Sequence, residues 1–138
     1  MTFNGYLMKA VKTNAIFPHK YMAIESYRTK PNSREEIEAY RDDNTRNLTR
    51  ITAVGKKSSI TFATMDGLHL ADKTAILKWF TDAEDSSLER KIQIQYWNDE
   101  EAAYKTGYFY RSDIDFTIKT ITGNDIIYKS FEVKLVEY

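Results

Sequence analysis

The sequence predicts a mainly β fold with one flanking α-helix, a β-sandwich or small barrel, in a single domain over 1–138. Three observations carry this. Apolar and polar residues alternate with a period of two along much of the chain, most clearly in its last third. One segment, residues 66–84, carries apolar residues at helical spacing instead. Only five glycines and two prolines punctuate the 138 residues, with no low-complexity run, repeat or linker-like stretch. A chain of this length buries roughly two-thirds of its unfolded surface, enough for a core without staples.

The elements follow in order. YLMKAV (6–11) and YMAIESY (21–27) read as weaker strands, separated by a loop containing Pro18. NLTRITAV (47–54) and SSITFATM (58–65) flank GKK (55–57), a short turn whose glycine tolerates positive φ, with Ile60 and Phe62 on one face of the second strand. In DGLHLADKTAILKWFTDAE (66–84), Ile76, Trp79, Phe80 and Ala83 form an apolar stripe. Asp66 is placed to cap this helix and Asp72 to favour its first turns. A helix of about four turns is marginal alone, so the stripe needs a sheet beneath it. KIQIQYW (91–97) sets Ile92, Ile94 and Tyr96 against Gln93, Gln95 and Trp97, and GYFYR (107–111) is its expected partner. IDFTIKT (114–120) and FEVKLVEY (131–138) alternate in the same way, with TGND (122–125) between them as the turn expected to pair the two antiparallel.

Composition excludes several function classes. The absence of cysteine removes disulfides and thiolate zinc sites. Twenty basic residues balance twenty acidic ones, so the chain starts without the phosphate-neutralising charge of a nonspecific DNA binder, and self-association meets little repulsion. The first ten residues lack a charged head followed by a long apolar run, so no signal peptide is expected. No stretch approaches the roughly 20 apolar residues of a membrane span.

Catalytic constellations do not emerge. His19 and His69 are the two histidines, and no spacing joins either to Ser58, Ser59 or a carboxylate as a triad, or both to a metal. They read as a loop-capping residue and a first-turn helix residue. Asp113 with Asp115, or Asp82 with Glu84 and Asp85, read as water-facing carboxylates rather than a glycosidase pair. The glycines are scattered, so there is no phosphate loop. Asn47-Leu48-Thr49 matches a glycosylation sequon that, without a secretory signal, reads as chance. The expectation is a protein that is not an enzyme, with no catalytic residue, no cofactor and no metal. Tyr104, Tyr108, Phe109 and Tyr110, near Lys105 and Arg111, admit two readings. One is a stacking platform for single-stranded nucleic acid in a small barrel-type binding module. The other, favoured, is ordinary strand alternation, with Phe109 on one face and Tyr108 and Tyr110 on the other.

REEIEAYRDDNTRNLTR (34–50) holds four of the seven arginines and no lysine, with nine charges that almost cancel. Residues 33–43 fit a short helix opened by a Ser33/Glu36 capping box, or an extended arm, within a long charged arm at about 31–50. Either form is too polar to bury itself. Arginine and tyrosine suit interfaces, where guanidinium groups pair with carboxylates and stack on rings. Arg34, Tyr40, Arg41, Asp42, Asp43, Arg46 and Arg50 are therefore the candidate subunit-contact residues, against the alternative of a solvated loop.

The succession FNGYLMKA, YMAIESY, the charged excursion, KKSSITFAT, LADKTAILKWF, YWNDEEAAYKTGYFYRSD and FEVKLVEY resembles a family of short phage and prophage tail-module proteins of Gram-positive hosts. The order of elements is similar to that of tail-tube and distal-tail (baseplate hub) proteins. The resemblance implies a tail-tube-like sandwich or barrel and a virion structural role as tube, distal-tail or adaptor protein. The partners implied are further copies of the same chain, with a hexameric ring as one form, and other tail proteins. Neither membrane nor specific nucleic-acid binding is expected. The location implied is the virion tail, after the host cytoplasm. Residues 31–50 would correspond to the inter-subunit arm.

Overall fold

The computed structural model describes residues 3–33, 36–41, 48–52, 57–86 and 88–138, with the backbone alone in 36–41 and 48–52. The strands are β1 (Met8–Ala10), β2 (Ala15–Ile16), β3 (Arg28–Ser33), β4 (Glu36–Arg41), β5 (Leu48–Thr52), β6 (Lys57–Ala63), β7 (Leu68–His69), β8 (Glu84–Ser86), β9 (Lys91–Asn98), β10 (Ala103–Arg111), β11 (Ile118–Thr122), β12 (Asp125–Tyr128) and β13 (Glu132–Glu137). The helix α1 spans Leu70–Ala83. The large sheet runs β2-β1-β9-β10-β13-β6-β3, with β8 beside β9; a second sheet runs β11-β12-β7, and β4 and β5 form a third of their own. All pairings are antiparallel, and the sheets stay open and sandwich-like rather than closing into a barrel.

Alternation decides which face of the large sheet is inward. Ile92, Ile94 and Tyr96 of β9 are buried, as are Phe109 of β10, Ile60 and Phe62 of β6, and Val133 and Leu135 of β13. α1 lies on this face and buries Ile76, Phe80 and Ala83. Aromatic packing locks the contact: the Phe17 ring lies 5.2 Å from Phe62, 5.1 Å from Trp79 and 5.9 Å from Phe80. The Trp79 indole N–H donates to the Ala15 carbonyl at 3.2 Å, tying the helix to β2. Burial of such side chains stabilises by about 1.5–3 kcal/mol each.

The expected helix, the β9 alternation, its pairing with β10 and the separation of Phe109 from Tyr108 and Tyr110 onto opposite faces are all present, and it is Phe109 that faces inward. Other expectations are corrected. YMAIESY is not a strand: His19–Tyr21 and Ile24–Ser26 are short 3-10 turns, and only Met22 bridges to Thr64. The Ser26 hydroxyl explains the second turn, donating to the Ala23 carbonyl at 2.5 Å and accepting the Ala63 N–H at 2.8 Å. Gly55 and Lys56 of the expected GKK turn lie outside the described residues; among the described ones β5 pairs β4, and β6 pairs β3 and β13. TGND does close a hairpin, but between β11 and β12, and the terminal strand β13 joins β6 and β10 instead. Ile114 and Phe116 precede β11 rather than lying in it. The helix is entered from His69, whose backbone N–H donates to Asp72 at 3.1 Å, so Asp72 acts early as expected. Asp66 does not cap it, because residues 68–69 are drawn into β7; Asp66 instead pairs with Lys119 at 2.7 Å and accepts the Ser130 N–H. The short-helix alternative for residues 33–43 also fails, since Ser33 ends β3 and Glu36 begins β4.

Candidate interaction surfaces

The described residues of the charged arm include a strand pair, β4 with β5. Glu36 lies opposite Thr52, Ala39 opposite Arg50, Tyr40 opposite Thr49 and Arg41 opposite Leu48. Tyr40, Arg41 and Arg50 are thus carried on one two-stranded ribbon. Arg34, Asp42, Asp43 and Arg46 lie outside the described residues. A lone hairpin is marginally stable in water, which makes a ribbon of this kind dependent on what it packs against.

A second surface is the hairpin β11–β12, set beside the start of α1. Two polar ties hold it. His69 Nδ1 and Asp125 Oδ2 are 2.5 Å apart, and Asp125 also accepts from the Leu70 and Ile126 N–H groups. The Asp125 hydrogen bond raises the His69 pKa above its ordinary value, and the same bond, with the two N–H donors, lowers that of Asp125. Lys119 lowers the Asp66 pKa, chiefly through its hydrogen bond. All four groups are exposed, so solvent screens both ties.

The third surface is the outer face of the large sheet. At one end, Phe3 and Tyr6 cover Trp97 and Tyr104: the Tyr6 and Tyr104 rings stack at 4.6 Å, and the Tyr104 hydroxyl donates to the Tyr6 carbonyl at 2.8 Å. Tyr104 is therefore packed. Tyr108 and Tyr110 are exposed on the outer face, but Lys105 and Arg111 are not beside them. Lys105 lies opposite inward Tyr96 and pairs with Glu101 at 3.3 Å. Arg111 sits over the Phe80 ring, and burial lowers its pKa. The cation near Tyr108 is Lys91, 4.9 Å from the ring centre, a neighbour visible only through strand register.

Among the described residues, nothing brings the chemistry-bearing side chains together. His69 is committed to Asp125, and His19 opens a 3-10 turn with its Nε2 buried and unpartnered. Asp113 pairs with Arg90 at 2.6 Å and Asp82 with Lys78 at 2.9 Å. Among the described residues no three His, Asp or Glu side chains group as metal ligands, and no helix is long and apolar enough to cross a membrane.

No curated protein sequence matches the chain. Among solved structures, a chain of the assembly described as "Tail of empty GTA particle computed with helical refinement, C6 symmetry" shares the fold, with a TM-score of 0.57 over 99% of this chain and 95% of that one, at 16% identity. A family model matches residues 1–138 from end to end, and the chain belongs to that family, described as a family of unknown function (DUF6711).

Proposed function

We propose that the protein is a structural, non-enzymatic component of a phage or prophage tail, a single domain that self-assembles into a ring or docks onto one. The observation that carries this is the near end-to-end correspondence of its fold with a chain from a C6-symmetric tail. The ribbon β4–β5 supports it. A two-stranded sheet carrying Tyr40, Arg41 and Arg50 gains a partner when it lies against the neighbouring copy. Arg34, Arg46, Asp42 and Asp43 would add contacts of both signs. A contact between two different patches, repeated by rotation, closes into a ring, so pairs worth ~0–1 kcal/mol each add up around the circle. The place of action is the virion tail, reached after folding in the host cytoplasm, with tube, distal-tail and adaptor positions as its forms.

Native mass spectrometry and negative-stain microscopy of concentrated protein test this. Rings are expected, six-fold ones being the form the fold correspondence favours. Combined Arg41→Glu, Arg46→Glu and Arg50→Glu should shift the population to monomer without loss of strand signal in circular dichroism. A strict monomer at high concentration that also ignores other tail proteins would overturn the reading.

A further inference from the structure

The outer face of the large sheet is cationic, although the chain is neutral. Register places its side chains in rows. Lys30 lies opposite Ser59, Ser59 opposite Val136, Val136 opposite Tyr110, and Tyr110 opposite Lys91. Two residues along, Arg28 lies opposite Thr61 and Thr61 opposite Lys134. With strands about 4.8 Å apart and a rise of about 3.4 Å per residue, four cations share a patch of roughly 19 by 7 Å. Along the outward positions of β3, β6, β13, β10 and β9, the one carboxylate among the described residues is Glu132, 3.9 Å from Arg28.

Two parts of this patch complement each other. Arg28, Lys30 and Lys134 line a groove of about 320 Å³ with Ser59 and the largely buried Thr61 between them, while Thr29, which also borders it, spends its hydroxyl on Asp99 at 3.1 Å. Beside it, Lys91 lies 4.9 Å from the Tyr108 ring centre and 4.8 Å from that of Tyr138, and Tyr110 meets Tyr138 edge-on at 5.7 Å. These rings stay 41%, 38% and 42% exposed for Tyr108, Tyr110 and Tyr138, while Phe109 and Ile92 on the opposite face supply the packing. Cations with hydroxyls hold phosphates, and open aromatic faces stack bases.

We propose that this face binds single-stranded nucleic acid without sequence preference. Backbone phosphates lie over Arg28, Lys30, Lys134 and Lys91, and bases stack on Tyr108 and Tyr110. The inference goes beyond the tail assignment and does not depend on it.

Fluorescence anisotropy with a labelled mixed-sequence oligonucleotide of roughly 16 nucleotides tests it. Four phosphate contacts on a single strand give a slope near −2.8 in log K against log salt, so affinity should fall roughly 50-fold between about 50 and 200 mM salt. Arg28→Glu with Lys134→Glu should abolish binding, and Tyr108→Ala with Tyr110→Ala should weaken it at least about fivefold per ring. Lys78→Glu, a reversal on the exposed side of α1, should change nothing. Absence of binding at low salt, binding indifferent to the Arg28/Lys134 reversal, or a duplex of the same sequence binding as tightly as the single strand would each overturn the proposal. Native mass spectrometry on the same samples separates the two readings, since rings that ignore the oligonucleotide refute this one alone.

Discussion

β9 and β11 are both antiparallel strands in sheets beside α1, yet they are held by different forces. Every second residue of β9 is buried, from Ile92 to Asn98, whereas all five residues of β11 are exposed. β9 sits between β1 and β10 and packs its inward side chains into the core. Among the described residues β11 pairs with β12 alone, and its hairpin is fastened by Lys119 to Asp66 and by Asp125 to His69. One strand is fixed by non-directional burial, the other by a few directional contacts in water. The first should therefore be sensitive to side-chain volume and indifferent to pH, and the second the reverse.

The sharpest way to break the comparison is to remove volume on each side. Ile94 in β9 is fully buried in the core, so Ile94→Ala should cost about 2–5 kcal/mol in urea unfolding. Ile121 in β11 is 67% exposed, and Ile121→Ala should stay within about 0.5 kcal/mol. Comparable losses at the two sites would show that the β11 hairpin is packed against something that completes it.

An intermediate effect is expected at Gly107, inside β10. A Cβ there would fall on the Glu137 carboxylate, which accepts the Ser58 N–H at 2.7 Å. Gly107→Ala therefore has to displace Glu137 and strand that donor, at a cost of about 1–2 kcal/mol. If the clash is the cause, adding Glu137→Ala should cost less than the sum of the two single changes. Full additivity in the double-mutant cycle would point to another origin.

The contrast between the two strands also governs what was legible in the sequence. Local signals served well where one face is buried, in the alternation of Ile92, Ile94 and Tyr96 and the stripe Ile76, Phe80 and Ala83, and turn chemistry alone marked the TGND turn of the exposed β11 hairpin. Partner choice is non-local and left no such trace. β13 finds β6 across some seventy residues, as in the Leu135–Ile60 pair, rather than the strand just before it. YMAIESY has the apolar content of a strand, but a serine hydroxyl that bonds backward makes it turn. Candidate contact residues in the arm could be nominated from composition, since arginine without lysine is a local signal. The cationic outer face could not, because Arg28, Lys30, Lys91 and Lys134 are scattered in sequence and meet only through register.

The smallest effect expected is a titration. Asp125 holds His69 in its charged form, so the imidazolium should titrate above the ordinary value of about 6.5. A raised folded-state pKa means that this tie contributes fully below the unfolded value and is lost as pH rises through the raised one. For Asp125 the sign reverses: its contribution is present above the unfolded carboxylate value near 3.9 and is lost as pH falls through its lowered one. The tie is therefore strongest in mildly acidic solution, between those limits, and slackens as pH rises through the raised His69 value. Because both groups are exposed, global stability should barely register the change, whereas amide protection in β12, corrected for intrinsic exchange, should decline as His69 loses its proton. Asp125→Asn should lower the His69 midpoint, read by nuclear magnetic resonance, toward the ordinary value and remove the pH dependence of β12 protection. A midpoint unmoved by Asp125→Asn would mean that the hairpin is held by packing after all, and that β11 and β9 differ in exposure but not in the force that fixes them.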